Sequence, residues 1–280
     1  MAETEHRSIH PVALVTGASS GIGLATSLAL IDRGWTVYGA ARRVDRMEAI
    51  TAAGGIAAEL DITDDAQIAA LVARIEVEQG RLDVLVNNAG YGSYGALEDV
   101  PMEEARRQFE VNLFGLARLT QVALPLMRSL NRARIINISS IGAHIYEPLG
   151  AWYHATKFAV EGLSDSLRLE LAPHGIDVVI VAPGSIRTEW ASIARESAVA
   201  HSGEGPYAEQ AHGLAENYRR IDRSRFAATP ETVAATIVRA ATVWRPRTRY
   251  ATPRSAGLII AARRLLPDRV LDRVLSRIAG

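Results

Sequence analysis

The sequence predicts a doubly wound α/β domain, a parallel sheet of about seven strands with helices on both faces. Three observations carry that expectation. Short apolar runs alternate with longer helical patterns from Pro11 to about Val181, the runs are apolar on both faces, and a glycine-rich turn follows the first of them. Strands covered on both faces read as continuous apolar segments, and parallel neighbours require crossover helices. Right-handed crossovers then leave ligands at the carboxyl ends of the strands.

The strand candidates are Val12–Thr16, Trp35–Ala41, Ile56–Asp61, Leu82–Asn87, Arg134–Ile138, Asp177–Val181 and Thr248–Thr252. Between them, helical periodicity runs over Ile22–Arg33, Ala66–Glu78, Ala151–Leu171 and Pro230–Val243. A further helical stretch, Glu103–Arg128, contains Pro125, which is expected to kink or divide it. Residues 189–225 are rich in Ala, Ser, Gly, His and charge and read as a helical lid; an uncommitted surface insertion is the alternative. Residues 256–280 read as a C-terminal amphipathic extension, and the whole of 1–280 as one domain.

Composition narrows the function classes. Thirty-one acidic residues balance thirty-one basic ones, so no global field draws the chain to nucleic acid. There is no cysteine, hence no disulfide, thiolate metal site or cysteine nucleophile. No HExxH motif or carboxylate cluster is present, and no metal is expected. The opening MAETEHRSIH holds two glutamates before any apolar run and does not read as a signal peptide. No apolar stretch approaches the roughly 20 residues that span a bilayer, so a cytoplasmic protein is expected.

The glycine turn reads TGASSGIG at 16–23, between the first strand and the first helix. Gly17, Gly21 and Gly23 permit a tight turn, close backbone approach to a pyrophosphate and close packing of helix on strand. Ser19, Ser20 and Ile22 lie where free N–H groups at a helix N-terminus meet phosphate. Taken alone, three glycines in seven residues also suit a plain strand-to-helix turn. The second strand ends in Ala41-Arg42-Arg43 with no carboxylate to accept a ribose 2′-hydroxyl. A guanidinium pairs with a 2′-phosphate, which favours NADP(H) over NAD(H); two solvated arginines are the bland alternative.

Tyr153 and Lys157 lie four apart in a predicted helix and share one face. An adjacent ammonium is expected to lower a phenol's pKa from about 10 and fit Tyr153 for proton exchange with an alcohol or carbonyl oxygen. Lys157 is the only lysine in the chain; every other member of the basic set is arginine. A guanidinium does not replace a compact ammonium beside hydroxyls.

TGASSGIG at 16–23, NNAG at 87–90, Asn112 in VNLFG, Ser140 in NISS, YHATK at 153–157 and PG at 183–184 occur in order. Together they resemble the short-chain dehydrogenase/reductase superfamily, in its single-domain branch with TGxxxGxG and YxxxK, over roughly Val12 to Thr188. The resemblance implies a catalytic tetrad of Asn112, Ser140, Tyr153 and Lys157. Ser140 would position the substrate oxygen, and Asn112 would hold a water linking Lys157 to solvent. Tyr153 and Lys157 would also touch the cofactor, Lys157 at the nicotinamide ribose. Asp61 with Ile62 would contact adenine, and Asn88, Ala89 and Gly90 the adenosine side. Pro183, Gly184, Ile186 and Thr188 would meet the nicotinamide carboxamide and the phosphates. The family also implies a homodimer or homotetramer.

Substrate-facing candidates are Tyr91, Ser93, Tyr94, Ile141, His144, Trp152 and Trp190, together with Ser140. They lean aromatic, which suits a moderately large apolar alcohol or ketone. At the C-terminus, Val270, Leu271, Val274, Leu275 and Ile278 make one apolar helical face opposite Arg269, Asp272, Arg273 and Arg277. Such a helix suits an anionic membrane surface, but packing on the domain or at a subunit contact is the preferred expectation. The functional expectation is an NADP(H)-dependent oxidoreductase interconverting a carbonyl and a secondary alcohol. The rival is a non-catalytic NADP(H)-sensing protein on the same scaffold.

Overall fold

The computed structural model describes residues 10–130, 132–224 and 227–279. Seven strands form: β1 (Val12–Thr16), β2 (Thr36–Ala41), β3 (Ile56–Glu59), β4 (Val84–Asn87), β5 (Ala133–Ile138), β6 (Ile176–Pro183) and β7 (Arg249–Thr252). They make one sheet in the order β3-β2-β1-β4-β5-β6-β7. Every neighbouring pair is parallel. The order reverses between β1 and β4, and crevices that bind ligands open at the carboxyl ends of strands at such a point.

The helices are α1 (Gly21–Ile31), α2 (Glu48–Ala52), α3 (Asp65–Gln79), α4 (Met102–Phe109), α5 (Gly115–Arg128), α6 (Ala151–Leu171), α7 (Glu189–Ser202), α8 (Ala208–Arg223), α9 (Pro230–Thr242), α10 (Arg254–Leu265) and α11 (Asp268–Ala279). Alternation along each strand sorts the core into two layers. Leu14 of β1 joins Ile68 and Ile75 of α3, Leu119 and Met127 of α5 and Leu171 of α6. Its neighbours Ala13 and Val15 join Leu30 of α1 and Val233 and Ile237 of α9 on the opposite face.

The expected Glu103–Arg128 helix is divided, but not at Pro125. Pro125 sits inside α5, which continues to Arg128. The division is a π-helical turn over Glu110–Phe114. Gly115 follows it, where a side chain would meet the Ile62 carbonyl oxygen at 2.4 Å. The helix therefore crosses the loop after β3 at backbone distance, and the wide turn points Asn112 inward, where it is 1 % exposed. The C-terminal extension is likewise two helices, α10 and α11, separated at Leu266 and Pro267.

Two buried polar clusters stiffen the frame. Asn87 Nδ2 donates to Asn137 Oδ1 (2.9 Å) and Thr120 Oγ1 (3.1 Å), and Asn137 Nδ2 donates to Ser164 Oγ (2.9 Å). This joins β4 and β5 to α5 and α6. Arg134, at the start of β5 and 4 % exposed, donates to the carbonyls of Ala240 (2.7 Å) and Ala241 (2.5 Å) and also to Val243. It supplies donors to carbonyls at the C-terminus of α9 that the helix itself leaves unpaired.

Candidate active site

A cleft of about 840 Å³ runs along the carboxyl ends of the strands. Its cofactor end is built by the glycine turn. Gly17 and Gly21 have φ of +66° and +53°, a region that disfavours a Cβ. Gly23 lies under the turn, and a Cβ there would stand 2.3 Å from the Gly17 carbonyl oxygen. Ser20 caps α1 without a side-chain hydrogen bond, and the first turn of α1 has no acidic residue. The helix N-terminus is thus left to an anion.

Thr16 locks this turn to the loop after β4. Its Oγ1 accepts the N–H groups of Asn88 and Ala89, both at 3.0 Å, and Asn88 Nδ2 donates to the Thr16 carbonyl at 2.8 Å. The Asn88 side chain therefore holds the two loops together, while its backbone borders the cleft. Arg42, Arg43, Asp61 and Ile62 line the same end. Burial opposes ionisation of Asp61. The N–H and hydroxyl of Thr63, with Arg42 and Arg107 nearby, outweigh it and hold the carboxyl below its ordinary value. Arg43 donates to Glu189 Oε2 at 3.0 Å and Arg46 to Glu189 Oε1 at 2.8 Å, so α7 starts on the loop after β2.

Three members of the predicted tetrad, Ser140, Tyr153 and Lys157, line the cleft together. Ser140 follows β5 and accepts the Gly142 N–H at 3.0 Å. Tyr153 and Lys157 project from α6, 6 % and 8 % exposed. Lys157 Nζ donates to the Ile138 carbonyl at 3.0 Å and lies 6.0 Å from the centre of the Tyr153 ring. The expected depression of the Tyr153 pKa by Lys157 is not found in this arrangement. Burial pushes the phenol well up, a hydrogen bond with Ser140 pulls it down, and Glu147 adds to the rise. Burial instead lowers the Lys157 ammonium to about 8, with Glu161 opposing.

Asn112 contributes by fastening rather than by facing the cleft. Its Oδ1 accepts the Tyr91 N–H at 3.0 Å, and its Nδ2 donates to the Tyr91 carbonyl at 2.9 Å and to Thr156 Oγ1 at 3.1 Å. Its side-chain groups are thereby engaged by protein. Gly90 lies beside it, and a Cβ there would meet Asn112 Oδ1 at 3.0 Å and Lys157 Nζ at 3.8 Å.

The substrate end is aromatic. The Tyr153 ring centre is 5.0 Å from that of Trp190 and 5.7 Å from that of Tyr94, and Tyr218 of α8 lies 6.0 Å from Trp190. Gly92 makes room for Trp190, because a Cβ there would come within 2.6 Å of the indole. Tyr91 and Ile141 also line the cleft, as do Ala89, Pro183, Gly184, Ile186 and Thr188. Three substrate candidates do not. Ser93 is buried outside it, and Trp152 packs edge-on against Phe109. His144 turns to Glu161, with Nε2 at 3.6 Å from Oε1.

Sequence reasoning missed several lining residues. Arg107 of α4 stands near Asp61 and Arg42, although nothing in its local pattern marks it. Glu147 and Tyr218 meet only through the tertiary fold, where the Tyr218 hydroxyl and the Tyr94 hydroxyl (2.9 Å) both donate to Glu147 Oε1. The C-terminal helices supply Ile259, Ala262, Leu266, Leu271 and Leu275. Leu271 is 5 % exposed, so this part of α11 packs on the domain. The side chains of Val274, Arg277 and Ile278 lie outside the described residues. Among the described residues no helix is long and apolar enough to cross a membrane, and no cluster of metal-ligating side chains occurs.

The residues fit a nicotinamide dinucleotide: a glycine cradle that side chains would fill, an uncapped helix N-terminus, and Lys157 beside Gly90. The chain is similar to known proteins with the same architecture. The short chain dehydrogenase family model matches residues 11–198. The NADPH-dependent 3-dehydrocapnine reductase of Ornithobacterium rhinotracheale is 34% identical over 275 residues, covering 94% of this chain and 95% of that protein. The 3-ketodihydrosphingosine reductase of Bacteroides thetaiotaomicron is 41% identical over 181 residues, covering 63% and 64%. Among solved structures, a short-chain dehydrogenase from Streptomyces avermitilis is 37% identical with a TM-score of 0.79, covering 91% of this chain and 92% of its own. One from Burkholderia phymatum, in complex with NAD, has a TM-score of 0.79 at 26% identity, covering 94% of each chain. The protein belongs to the short-chain dehydrogenase family and is an NAD(P)-linked oxidoreductase acting on CH–OH groups or the corresponding carbonyls.

Proposed function

We propose that this oxidoreductase prefers NADP(H) and interconverts a carbonyl and a secondary alcohol on a moderately large apolar substrate. The observation that carries the reading is that Tyr153, Ser140 and Lys157 line the same cleft as the glycine turn, Tyr153 and Lys157 buried and Ser140 half-buried. When bound along Gly17–Gly23 and Lys157, the cofactor supplies or accepts the hydride at its nicotinamide C4. Tyr153 holds a proton firmly at neutral pH, because burial raises its pKa, and it donates that proton to the substrate oxygen during reduction. Ser140 positions the same oxygen by hydrogen bonding, and Lys157 offsets the charge left on the phenolate.

NADP(H) preference is supported by Arg42, with Arg107 beside it and no carboxylate at the end of β2 to accept a 2′-hydroxyl. Helices α7 and α8 act as the lid over Tyr153, and the apolar side chains of α10 and α11 give the cleft a lipophilic wall. Two relatives are named for ketone reduction, of 3-dehydrocapnine and of 3-ketodihydrosphingosine, which suits such a wall.

The test is a panel of long-chain and short ketones with NADPH and NADH in parallel, followed by nicotinamide absorbance. Tyr153→Phe should lower turnover by about 10²- to 10⁴-fold, the scale of lost general acid catalysis, while NADPH affinity stays within a few-fold. Turnover that survives the change would overturn the mechanism.

A further inference from the structure

The start of α7 lies across the cofactor end of the cleft. Thr188 caps that helix, accepting the Trp190 N–H at 3.3 Å. Its Cγ2 would stand 3.1 Å from a Cβ on Gly21, so the cap rests against the glycine turn. Glu189 follows and reaches the loop after β2. Its Oε2 accepts from Arg43 Nη2 at 3.0 Å and its Oε1 from Arg46 Nη1 at 2.8 Å. The same Arg43 nitrogen donates to Ser19 Oγ of the glycine turn at 3.4 Å, which engages both of its hydrogens. The hydrogen bond from Arg43 holds the Glu189 carboxyl below its ordinary range, so the bridge is ionic at neutral pH. Trp190 comes next, its ring centre 5.0 Å from that of Tyr153. Three consecutive residues therefore touch the glycine turn, the arginine loop and Tyr153.

The bridge is readily exchanged. The Arg43 and Glu189 side chains are 44 % and 46 % exposed, and ion pairs so open to water are individually weak. A phosphate dianion gives a guanidinium a paired, charge-assisted grip that is stronger. It also sets a second negative charge beside Glu189, and the two repel. Arg43 does not hold both anions at full strength.

We propose that Glu189 is a specificity-determining residue that competes with the 2′-phosphate of NADP(H) for Arg43. Its displacement unfastens the start of α7 and lets Trp190 move off Tyr153. NAD(H), which lacks that phosphate, leaves the bridge in place. The inference rests on the NADP(H) reading above. A bridge that only stiffened the lid would respond alike to both cofactors.

The experiment measures backbone hydrogen–deuterium exchange over residues 189–202 of the full chain, saturated with NADPH or with NADH. It also measures Kd for both cofactors by fluorescence titration, in the wild type and in Glu189→Gln. Exchange in the wild type should be at least about threefold faster with NADPH, and the variant should show no difference between the cofactors. The Kd for NADPH should fall about 3- to 10-fold in the variant, the scale of two exposed ion pairs, with that for NADH within about twofold. Equal or slower exchange with NADPH, a difference that persists in the variant, or no selective fall in the NADPH Kd overturns the proposal. A wild type that still binds NADPH more tightly than NADH then leaves the NADP(H) reading standing. If the wild type does not bind NADPH more tightly, that reading falls and takes this one with it. Should the variant not fold, wild-type exchange is compared with adenosine 2′,5′-bisphosphate and adenosine 5′-monophosphate. Faster exchange with the bisphosphate supports the proposal, and equal or slower exchange overturns it.

Discussion

Lys157 Nζ donates a 3.0 Å hydrogen bond to the backbone carbonyl of Ile138, the last residue of β5, from within the first half of α6. The single lysine of the chain is thus anchored to the carboxyl end of β5, two residues before Ser140. That bond ties the helix that carries Tyr153 to the strand that leads into Ser140. Its partner relationship with Tyr153 is looser, at 6.0 Å from ring centre to Nζ.

The buried ammonium has a consequence for stability. Its pKa is lowered to about 8 by burial, while in the unfolded chain it returns to about 10.4. Between those values the unfolded state binds more protons, so this group makes stability rise with pH across that window. Below about pH 8 both states are charged and the penalty is complete. Lys157→Met should therefore be at least as stable as the wild type at pH 7 while losing turnover. Its advantage in Tm should shrink between pH 8 and 10, read by thermal denaturation of both proteins across that range.

Arg42 and Arg107 set the cofactor prediction. Arg42→Ala should raise the Kd for NADPH about 10- to 100-fold and that for NADH no more than about threefold, because only the former carries the 2′-phosphate. Arg107→Ala should act in the same direction and less strongly. Fluorescence titration of both cofactors decides this, and an equal loss for NADH would assign these arginines to packing instead.

Gly23→Ala tests the cradle. The added Cβ would lie 2.3 Å from the Gly17 carbonyl oxygen and 2.6 Å from Asn88 Nδ2, so the turn must move. Binding of either cofactor should fall at least about tenfold, with far-UV circular dichroism preserved, since the displacement is local to the phosphate-binding backbone.

Arg134→Met removes donors from the carbonyls of Ala240, Ala241 and Val243 at the end of α9. A loss of about 2–4 kcal/mol in urea unfolding is expected, since buried acceptors lose charged donors. By contrast, Glu189→Gln breaks only exposed bridges to Arg43 and Arg46 and should cost under about 1 kcal/mol.

Much of the site was legible in the chain because it is local. The glycine turn, the four-residue Tyr153–Lys157 spacing and the bare end of β2 each report a backbone geometry or a charge that neighbouring residues dictate. The β-strands were legible for the same reason, since burial on both faces leaves a run of apolar residues. The division of Glu103–Arg128 was misplaced because a π turn has no composition of its own. It arises where Gly115 crosses the Ile62 carbonyl, a contact between distant segments. His144 and Ser93 were read as substrate residues from their nearness to motifs, yet side-chain direction is set by packing, and Glu161 draws the imidazole away.

By itself, then, the sequence determined the sheet, the glycine turn after its first strand and the pairing of Tyr153 with Lys157 on one helix face. Each of these rests on periodicity, on conformations only glycine adopts readily, or on groups a few residues apart. The tertiary structure alone decided how Lys157 is held, how deeply the Tyr153 phenol is buried, and that Glu147, Tyr94 and Tyr218 converge. Burial and long-range hydrogen bonds control those properties, and both depend on which distant residues the folded chain brings together.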